Sequence, residues 1–510
     1  MSHPRLNGDI SIPEFFRGKN IFITGGSGFI GRVLIEKLLR SCPDLKNIYM
    51  IIRPKKGRSI EERISDLTKV PLFDEVRKQN ENFVDKIIPV NGDIRKLNLG
   101  ISEEDRKCLI ENVSVIFHSA ASVRFDDHLK DAIFTNVRST REIINLASEM
   151  KSLEVFVHVS TLYANADNKV LEEKLYPRYD WRDAIFLAEN CDEGVMEVMT
   201  QKIIHPLPNT YTFTKSVAEL LVDDLCKNKF PTVIIRPSIV APTVLEPVVG
   251  WIDNFNGPVA LNIAAAKGIM NTSYCDMNVR QDYVYVDNLV KAMLVASWKM
   301  ATEKQTQEVL ICNTSSDALQ SLSFNYRNRK MVIENPPETY IWPFSLRFTN
   351  CFYMFSLINL IYQISPAILL DGLLWIFGHK MRILKIRRRI YISNLAVIRF
   401  LKNEWKSINK NYLSLDEAVL DIDKEKFTTH RTNRHDYLFK QFYISTKVYL
   451  LKEKPIASKN EVLRYHIFLV MARIWNYAQI GMLVYLMAWK YNLPMKMYET
   501  LYSYIENIDS

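Results

Sequence analysis

The chain has 510 residues, 48% hydrophobic and 24% charged, with a formal net charge of +9. That length calls for two or three folding units, and the composition excludes a collagenous, low-complexity or disordered chain. The mild positive charge suits a phosphate-bearing ligand or an anionic membrane surface; it is not the dense basic footprint of a nucleic-acid binder.

The polar start MSHPRLNGDI carries no secretory signal. The apolar, β-branched run NIFIT (20–24) then predicts a buried parallel strand. Gly25, Gly26, Gly28 and Gly31 follow, and RVLIEKLLRSC continues with apolar residues at helical spacing. Strand, glycine turn and helix form the context of a dinucleotide fingerprint, here Gly25-x-x-Gly28-x-x-Gly31. Gly25 permits the tight turn, Gly28 lets a pyrophosphate approach the backbone, and Gly31 lets the helix pack closely with its amides toward the anion. Thr24, Phe29 and Ile30 flank these glycines as cofactor contacts. The alternative is a glycine-rich turn with no ligand.

A second strand, NIYMIIR (47–53), ends in Arg53-Pro54-Lys55-Lys56 where an NAD-selective pattern would carry an acid. This points to NADP, with Arg53 on the 2′-phosphate, or else to a solvated basic loop. KIIPVNGDI (86–94) ends in a strand terminus where Asp93, beside Ile94, either accepts the adenine amino group or caps the next turn. VSVIFHSAAS (113–122) ends in Ala120 and Ala121, small enough to admit a ribose. EVFVHVST (154–161) is the next buried strand. Helices such as NVRSTREIINLASEM alternate with these strands, and the fold class is therefore α/β, a doubly wound parallel sheet.

Ser160 and Thr161 fall at the carboxyl end of a strand, where open α/β sheets bind ligands. Tyr211 and Lys215 are four apart in NTYTFTKSVAELLVDDL, on one face of a helix. The chemistry is proton transfer paired with hydride transfer. A nearby ammonium is expected to lower the phenol from its ordinary value of about 10, while Thr161, with Ser160 in reserve, fixes the substrate oxygen.

These residues resemble the extended short-chain dehydrogenase/reductase superfamily. The longer phrases FIGRVLIEKLLRSCPDLKNIYMIIRPKKG, FVHVSTLYAN, IIRPSIVAPTVLEPVVGWIDNFNGP, DYVYVDNLVKAMLVASW and FLKNEWKSINKNYLSLDEAV resemble the fatty acyl-CoA reductases, in particular those of insects, over nearly the whole chain. Leu162 and Ala164 depart from the expected pattern beside Thr161. The resemblance implies NADPH-dependent reduction of a fatty acyl-CoA to the primary alcohol through a bound aldehyde, with Tyr211 as acid in both rounds. It places Pro237, Ser238 and Ile239 of RPSIV by the nicotinamide, and Asn136 in the hydrogen-bonded chain behind Lys215. The rival readings are an extended reductase or epimerase acting on a nucleotide sugar or sterol, and an inactive membrane lipid-binding protein. The apolar residues of 245–270, among them Val248, Trp251 and Phe255, favour a greasy substrate.

The expected domains are a reductase domain over 1–300 with a substrate lobe near 245–285, a junction over 301–345, a helical domain over 346–460 and a hydrophobic segment over 464–490. The stretch 348–370 is uncharged and reads as a hydrophobic helix pair around Pro366, on or in a bilayer or over the acyl tunnel. Six basic residues follow within 380–389, a pattern that favours anionic headgroups and the cytosolic side. The run 474–489 is uncharged with tryptophans near both ends, and reads as a span, an interfacial helix or a buried helix, with Arg473 facing a partner or snorkelling. Membrane lipid is thus an expected partner. The endoplasmic reticulum with a cytosolic catalytic domain is the expected location, and the peroxisomal membrane is the alternative, although the end YIENIDS lacks a targeting tripeptide. The seven scattered cysteines read as reduced thiols with no metal spacing. Oligomeric state stays open, a homodimer being the pairing this fold favours.

Overall fold

The computed structural model describes residues 10–53, 57–304, 306–315, 320–321, 324–429 and 435–490. They fall into two compact units. The first lies within Met1–Asn254, Val279–Leu322 and Asn403–Leu451, the second within Phe255–Asn278, Ser323–Lys402 and Lys452–Ser510.

The first unit is built on a seven-stranded sheet: β1 (Asn20–Thr24), β2 (Asn47–Ile52), β3 (Ile87–Asn91), β4 (Val113–His118), β5 (Val155–Val159), β6 (Thr232–Pro237) and β7 (Leu310–Thr314). Their order is β3-β2-β1-β4-β5-β6-β7, and every pairing is parallel. The chain runs outward from β1 to β3 and then crosses back to β4. The strand order therefore reverses between β1 and β4, which is where such sheets bind nucleotides.

Side-chain alternation makes two cores. Ile21, Ile23, Val115, Phe117, Val157 and Ile235 pack on one face with the helices α1 (Phe29–Ser41) and α4 (Val286–Glu303). Phe22, Ile116, Phe156 and Ile234 pack on the other with α2 (Ser139–Glu149) and α3 (Thr210–Cys226). Each fully buried side chain of this size contributes roughly 1.5–3 kcal/mol, so a sheet covered on both faces reads as continuous apolar runs. Segment 403–451 returns to the sheet at the outer strand. There Glu173 accepts the backbone N–H groups of Asn313, at 3.0 Å, and Asn411, at 2.7 Å, while the Asn411 amide donates to the Ile311 carbonyl at 2.9 Å. Side chains thus satisfy the ladder groups of β7.

In the second unit, α5 (Phe352–Asn359) and α6 (Ser365–Ile376) are joined by a π-turn over Leu360–Ile364. The sequence reads a helix pair around Pro366; the structure has one helix of 25 residues instead. The wider turn just before Pro366 accommodates the proline, which has no N–H to donate and would otherwise crowd the preceding turn. Asp371 of α6 accepts the backbone N–H groups of Arg382, Ile383 and Leu384 at 2.9–3.0 Å, so that one carboxylate caps α7 (Ile383–Ala396). The last described element is α8 (Lys459–Lys490). Both the 25-residue helix and α8 are long and apolar enough to cross a membrane, with mean hydropathy of 1.6 and 1.4 in their most apolar windows. Tyr353, Leu373, Trp375 and Ile376 on the first, and Leu463, Ile474, Tyr485 and Trp489 on the second, are exposed. Such uncovered apolar faces favour association with a bilayer.

Candidate active site

β1 ends at Thr24 and the chain turns through Gly25, whose φ is +76°. A Cβ there would lie 2.7 Å from the Ala120 nitrogen, and one on Gly31 would lie 2.3 Å from the Gly25 carbonyl oxygen. These two glycines are steric necessities of the turn. Gly28 is the N-cap of α1 and has no side chain to occupy the first-turn amides, which leaves them available to an anion. Phe29 and Ile30 are half-buried beneath the turn, Phe29 stacking on Trp251 with centroids 5.6 Å apart.

Arg53 follows β2 and is exposed; the Arg63 guanidinium reaches its carbonyl, a second cation beside it that sequence spacing did not single out. Pro54, Lys55 and Lys56 lie outside the described residues. Asp93 accepts the Arg95 backbone N–H at 3.0 Å, so the turn-capping role is present, and it and Ile94 are half-buried. Ala120 and Ala121 are half-buried just past β4.

Asn209 caps α3 by accepting the Thr212 N–H at 2.9 Å, and this sets Tyr211 and Lys215 on successive turns. The Tyr211 phenol shares a hydrogen bond with Thr161, and its ring lies 5.8 Å from that of Phe125. Lys215 donates to the Val159 carbonyl at 2.7 Å. The phenol, Thr161 and the ammonium thus converge at the carboxyl end of β5. Burial pushes the phenol up to about 12 against the pull of the Thr161 hydrogen bond. It pushes the ammonium down to about 8 against the pull of Glu219. The sequence reading expects the ammonium to lower the phenol; here Lys215 contributes no such pull, and burial holds Tyr211 in its proton-bearing form.

Ser160 is committed elsewhere. Its hydroxyl donates to Glu219 at 2.5 Å, and Glu219 is clamped by Arg236 through two contacts of 2.8 and 2.7 Å. Both partners of this ion pair are 2% exposed. The remaining Arg236 donors reach the carbonyls of Glu172 and Lys174, each at 2.9 Å. The arginine of RPSIV therefore holds β6, α3 and the 172–174 turn together, which sequence reasoning missed because its partner lies in a different motif. Pro237 ends β6, Ser238 donates its N–H to Thr314 at 3.1 Å, and the half-buried Ile239 donates to Asp282 at 3.1 Å.

Asn136 lies in a π-turn over Phe134–Arg138. Its side chain bonds the Ser122 backbone at 2.8 and 3.2 Å and donates to Thr214 at 2.9 Å, so its link to Lys215 runs through the neighbouring threonine. Behind it is a chain that the sequence reading did not find. The Ala120 N–H donates to Thr24 Oγ1 at 3.2 Å, and Thr24 Oγ1 lies 2.7 Å from His118 Nδ1. His118 Nε2 lies 3.0 Å from Thr140 Oγ1, which donates to the Asn136 carbonyl at 2.8 Å. These contacts are all satisfied if Nδ1 accepts and Nε2 carries the proton. Burial, with Lys215 adding repulsion, pushes His118 down to about 3, so it is neutral throughout the functional pH range.

Residues 23–293 match the NAD-binding domain family described as Male sterility protein, and residues 362–453 match the Sterile family of the same description. Fatty acyl-CoA reductase 1 of Rattus norvegicus is 36% identical over 462 residues, covering 88% of this chain and 89% of that protein. This chain belongs to the fatty acyl-CoA reductase family. The fatty acyl-CoA reductase wat of Drosophila melanogaster is 33% identical to it over 489 residues, covering 95% of this reductase and 93% of that one. Two solved reductase domains share its fold. The terminal R domain from the myxalamid pathway has a TM-score of 0.57 at 19% identity, covering 84% of this chain and 91% of that one. The reductase domain of a Mycobacterium tuberculosis nonribosomal peptide synthetase has a TM-score of 0.58 at 16% identity, covering 87% and 94%.

The reductase is thus an oxidoreductase, and its bare glycine turn at the β1/β4 switch point fits a nicotinamide dinucleotide. Leu162 and Ala164, the departures beside Thr161, are buried in a 3₁₀ turn over Leu162–Asn165. The loop beyond β6 is held by two carboxylates. Asp287 accepts the N–H groups of Val244, Leu245 and Glu246 at 3.0, 2.9 and 3.2 Å. Glu246 in turn meets Lys37 and Lys291 at 2.8 Å and Arg40 at 2.9 Å. Despite its burial, these three cations hold the Glu246 carboxyl down to about 2.

Proposed function

We propose that this reductase converts a long-chain fatty acyl-CoA to the primary alcohol in two rounds, with NADPH as the reductant. The carrying observation is the Tyr211–Thr161 hydrogen bond beside the Lys215 ammonium at the carboxyl end of β5. Bound NADPH supplies the hydride. The hydroxyls of Thr161 and Tyr211 hold the acyl oxygen and stabilise the negative charge that develops on it. Tyr211 gives that oxygen its proton, which yields a hemithioacetal. Collapse of the hemithioacetal breaks the carbon–sulfur bond, expels the coenzyme A thiolate and returns the proton to the site. The aldehyde stays on the same two donors, and Tyr211 protonates the alkoxide of the second round. Lys215 stabilises the phenolate left after each proton transfer.

Arg53, with Arg63 beside it, supports NADPH over NADH, because guanidinium groups pair with phosphate. The two exposed apolar helices support a membrane location, and seven free cysteines suit a cytosol-facing catalytic unit at the endoplasmic reticulum.

The test is NADPH consumption with palmitoyl-CoA and identification of the lipid product. Fatty alcohol is expected from the wild type. Tyr211→Phe should lose about 10²–10⁴-fold in rate while still binding NADPH; an unimpaired rate ends the mechanism. Arg53→Ala should raise the KM for NADPH well beyond that for NADH, and equal losses would remove its assignment.

A further inference from the structure

We propose that the second unit carries a site for the phosphate of an anionic phospholipid headgroup, formed by Arg347, Arg473 and Arg329 around a cavity beside α8. It rests on reading α8 as membrane-associated. The cavity holds about 260 Å³ and is lined by these three arginines together with Ser345, Asn476 and Tyr477. No carboxylate lines it, and among the described residues none of the three guanidinium groups makes an ion pair. Three like charges around one cavity repel each other unless an anion joins them, and the guanidinium fork matches phosphate oxygens in particular.

The site is built as well as charged. Arg347 stacks over Tyr362, 3.8 Å from the ring centroid, and donates to the Ser345 carbonyl at 3.2 Å, which fixes the plane of its fork. Ser345 Oγ and the Asn476 side-chain oxygen are shielded from solvent and make no hydrogen bond within the protein. The Phe344 N–H donates to the Tyr465 hydroxyl at 2.8 Å, tying the cavity's loop wall to α8.

Depth and size favour a lipid. Arg473 immediately precedes the uncharged run 474–489, which extends for roughly 24 Å at about 1.5 Å per residue. Ile474, Tyr477, Ile480 and Trp489 along it are exposed. With that run in a bilayer, Arg473 sits at headgroup level, where a charged side chain needs an anionic partner. A cavity of about 260 Å³ lies below the roughly 300–1,000 Å³ of pockets that take a whole drug-sized ligand, so it suits a headgroup phosphate better than a nucleotide.

The test is flotation of the full-length protein on phosphatidylcholine vesicles with and without phosphatidic acid. Arg473→Gln and the pair Arg347→Gln/Arg473→Gln are compared with a control pair of equal charge loss, Arg182→Gln/Arg280→Gln, on exposed positions of the first unit, away from the basic cluster 380–389. The wild type should bind the phosphatidic acid vesicles on the order of tenfold more tightly than phosphatidylcholine alone. Both cavity variants should lose most of that preference, while the control pair keeps it and all bind phosphatidylcholine equally. Equal losses in cavity and control variants would reduce the effect to surface charge and overturn the site. Binding to neither vesicle would overturn the membrane reading as well. A thermal shift with inorganic phosphate that the cavity variants abolish, without any vesicle preference, would assign the cavity to free phosphate and overturn the lipid assignment.

Discussion

Tyr211 and Lys215 occupy surroundings that favour the neutral form of both, and the two effects act oppositely on function. A phenol pushed up to about 12 keeps the proton that the proposed mechanism has it donate. An ammonium pushed down to about 8 loses its charge just above neutrality. In the proposed mechanism the ammonium is the form that stabilises the phenolate, so kcat/KM is expected to fall as pH rises through about 8, about tenfold per unit beyond it. A pH profile that stays flat to pH 10 would show that the charge of Lys215 is not needed. Motif spacing put Tyr211 and Lys215 on one face of a helix, because side chains four apart share a face. The sequence placed Thr161 ahead of Ser160, and the physical reason lies in Glu219, 59 residues away in sequence, which engages the Ser160 hydroxyl.

At the scale of elements, Glu246 is where two helices of one core meet the loop beyond β6. Lys37 and Arg40 come from α1 and Lys291 from α4, so a single carboxylate joins three segments. Removing it leaves the buried Lys37 and Lys291 without a carboxylate and leaves Arg40 with Glu36 alone, and Glu246→Gln is expected to cost about 3 kcal/mol or more in unfolding free energy. The folded carboxyl sits at about 2, below its ordinary value of 4.5. The stability it contributes is therefore full above pH 4.5 and is lost as pH falls toward 2. Urea midpoints of wild type and variant should differ at pH 7 and converge on acidification; a constant gap would exclude the ion pairs as the cause. Strands β1, β2, β4, β5 and the glycine turn were readable as local patterns of period and composition. The capping of β7 by Glu173 and Asn411 was not, because those groups come from remote segments with no periodic signature.

For the whole molecule, the apolar faces of the 25-residue helix and of α8 are the features that the chain itself leaves uncovered. Deleting 474–490 removes exposed residues for the most part, while Tyr465 and its bond to Phe344 remain. That deletion is expected to move a substantial share of the protein from the carbonate-resistant membrane pellet to the supernatant without abolishing nicotinamide cofactor binding. An unchanged pellet fraction would mean that the 25-residue helix suffices for attachment.

Length, period and motif by themselves determined the parallel sheet, the cofactor turn, the Tyr211/Lys215 pair and the two hydrophobic stretches, because each is a local pattern that backbone geometry converts directly into a face or a turn. Tertiary structure alone decided that Glu219 takes the Ser160 hydroxyl, how His118 ties the glycine turn to Asn136, and that segment 403–451 closes the sheet of the first unit. Those outcomes depend on groups far apart in sequence brought within hydrogen-bond distance in a desolvated interior, and no local spacing encodes that.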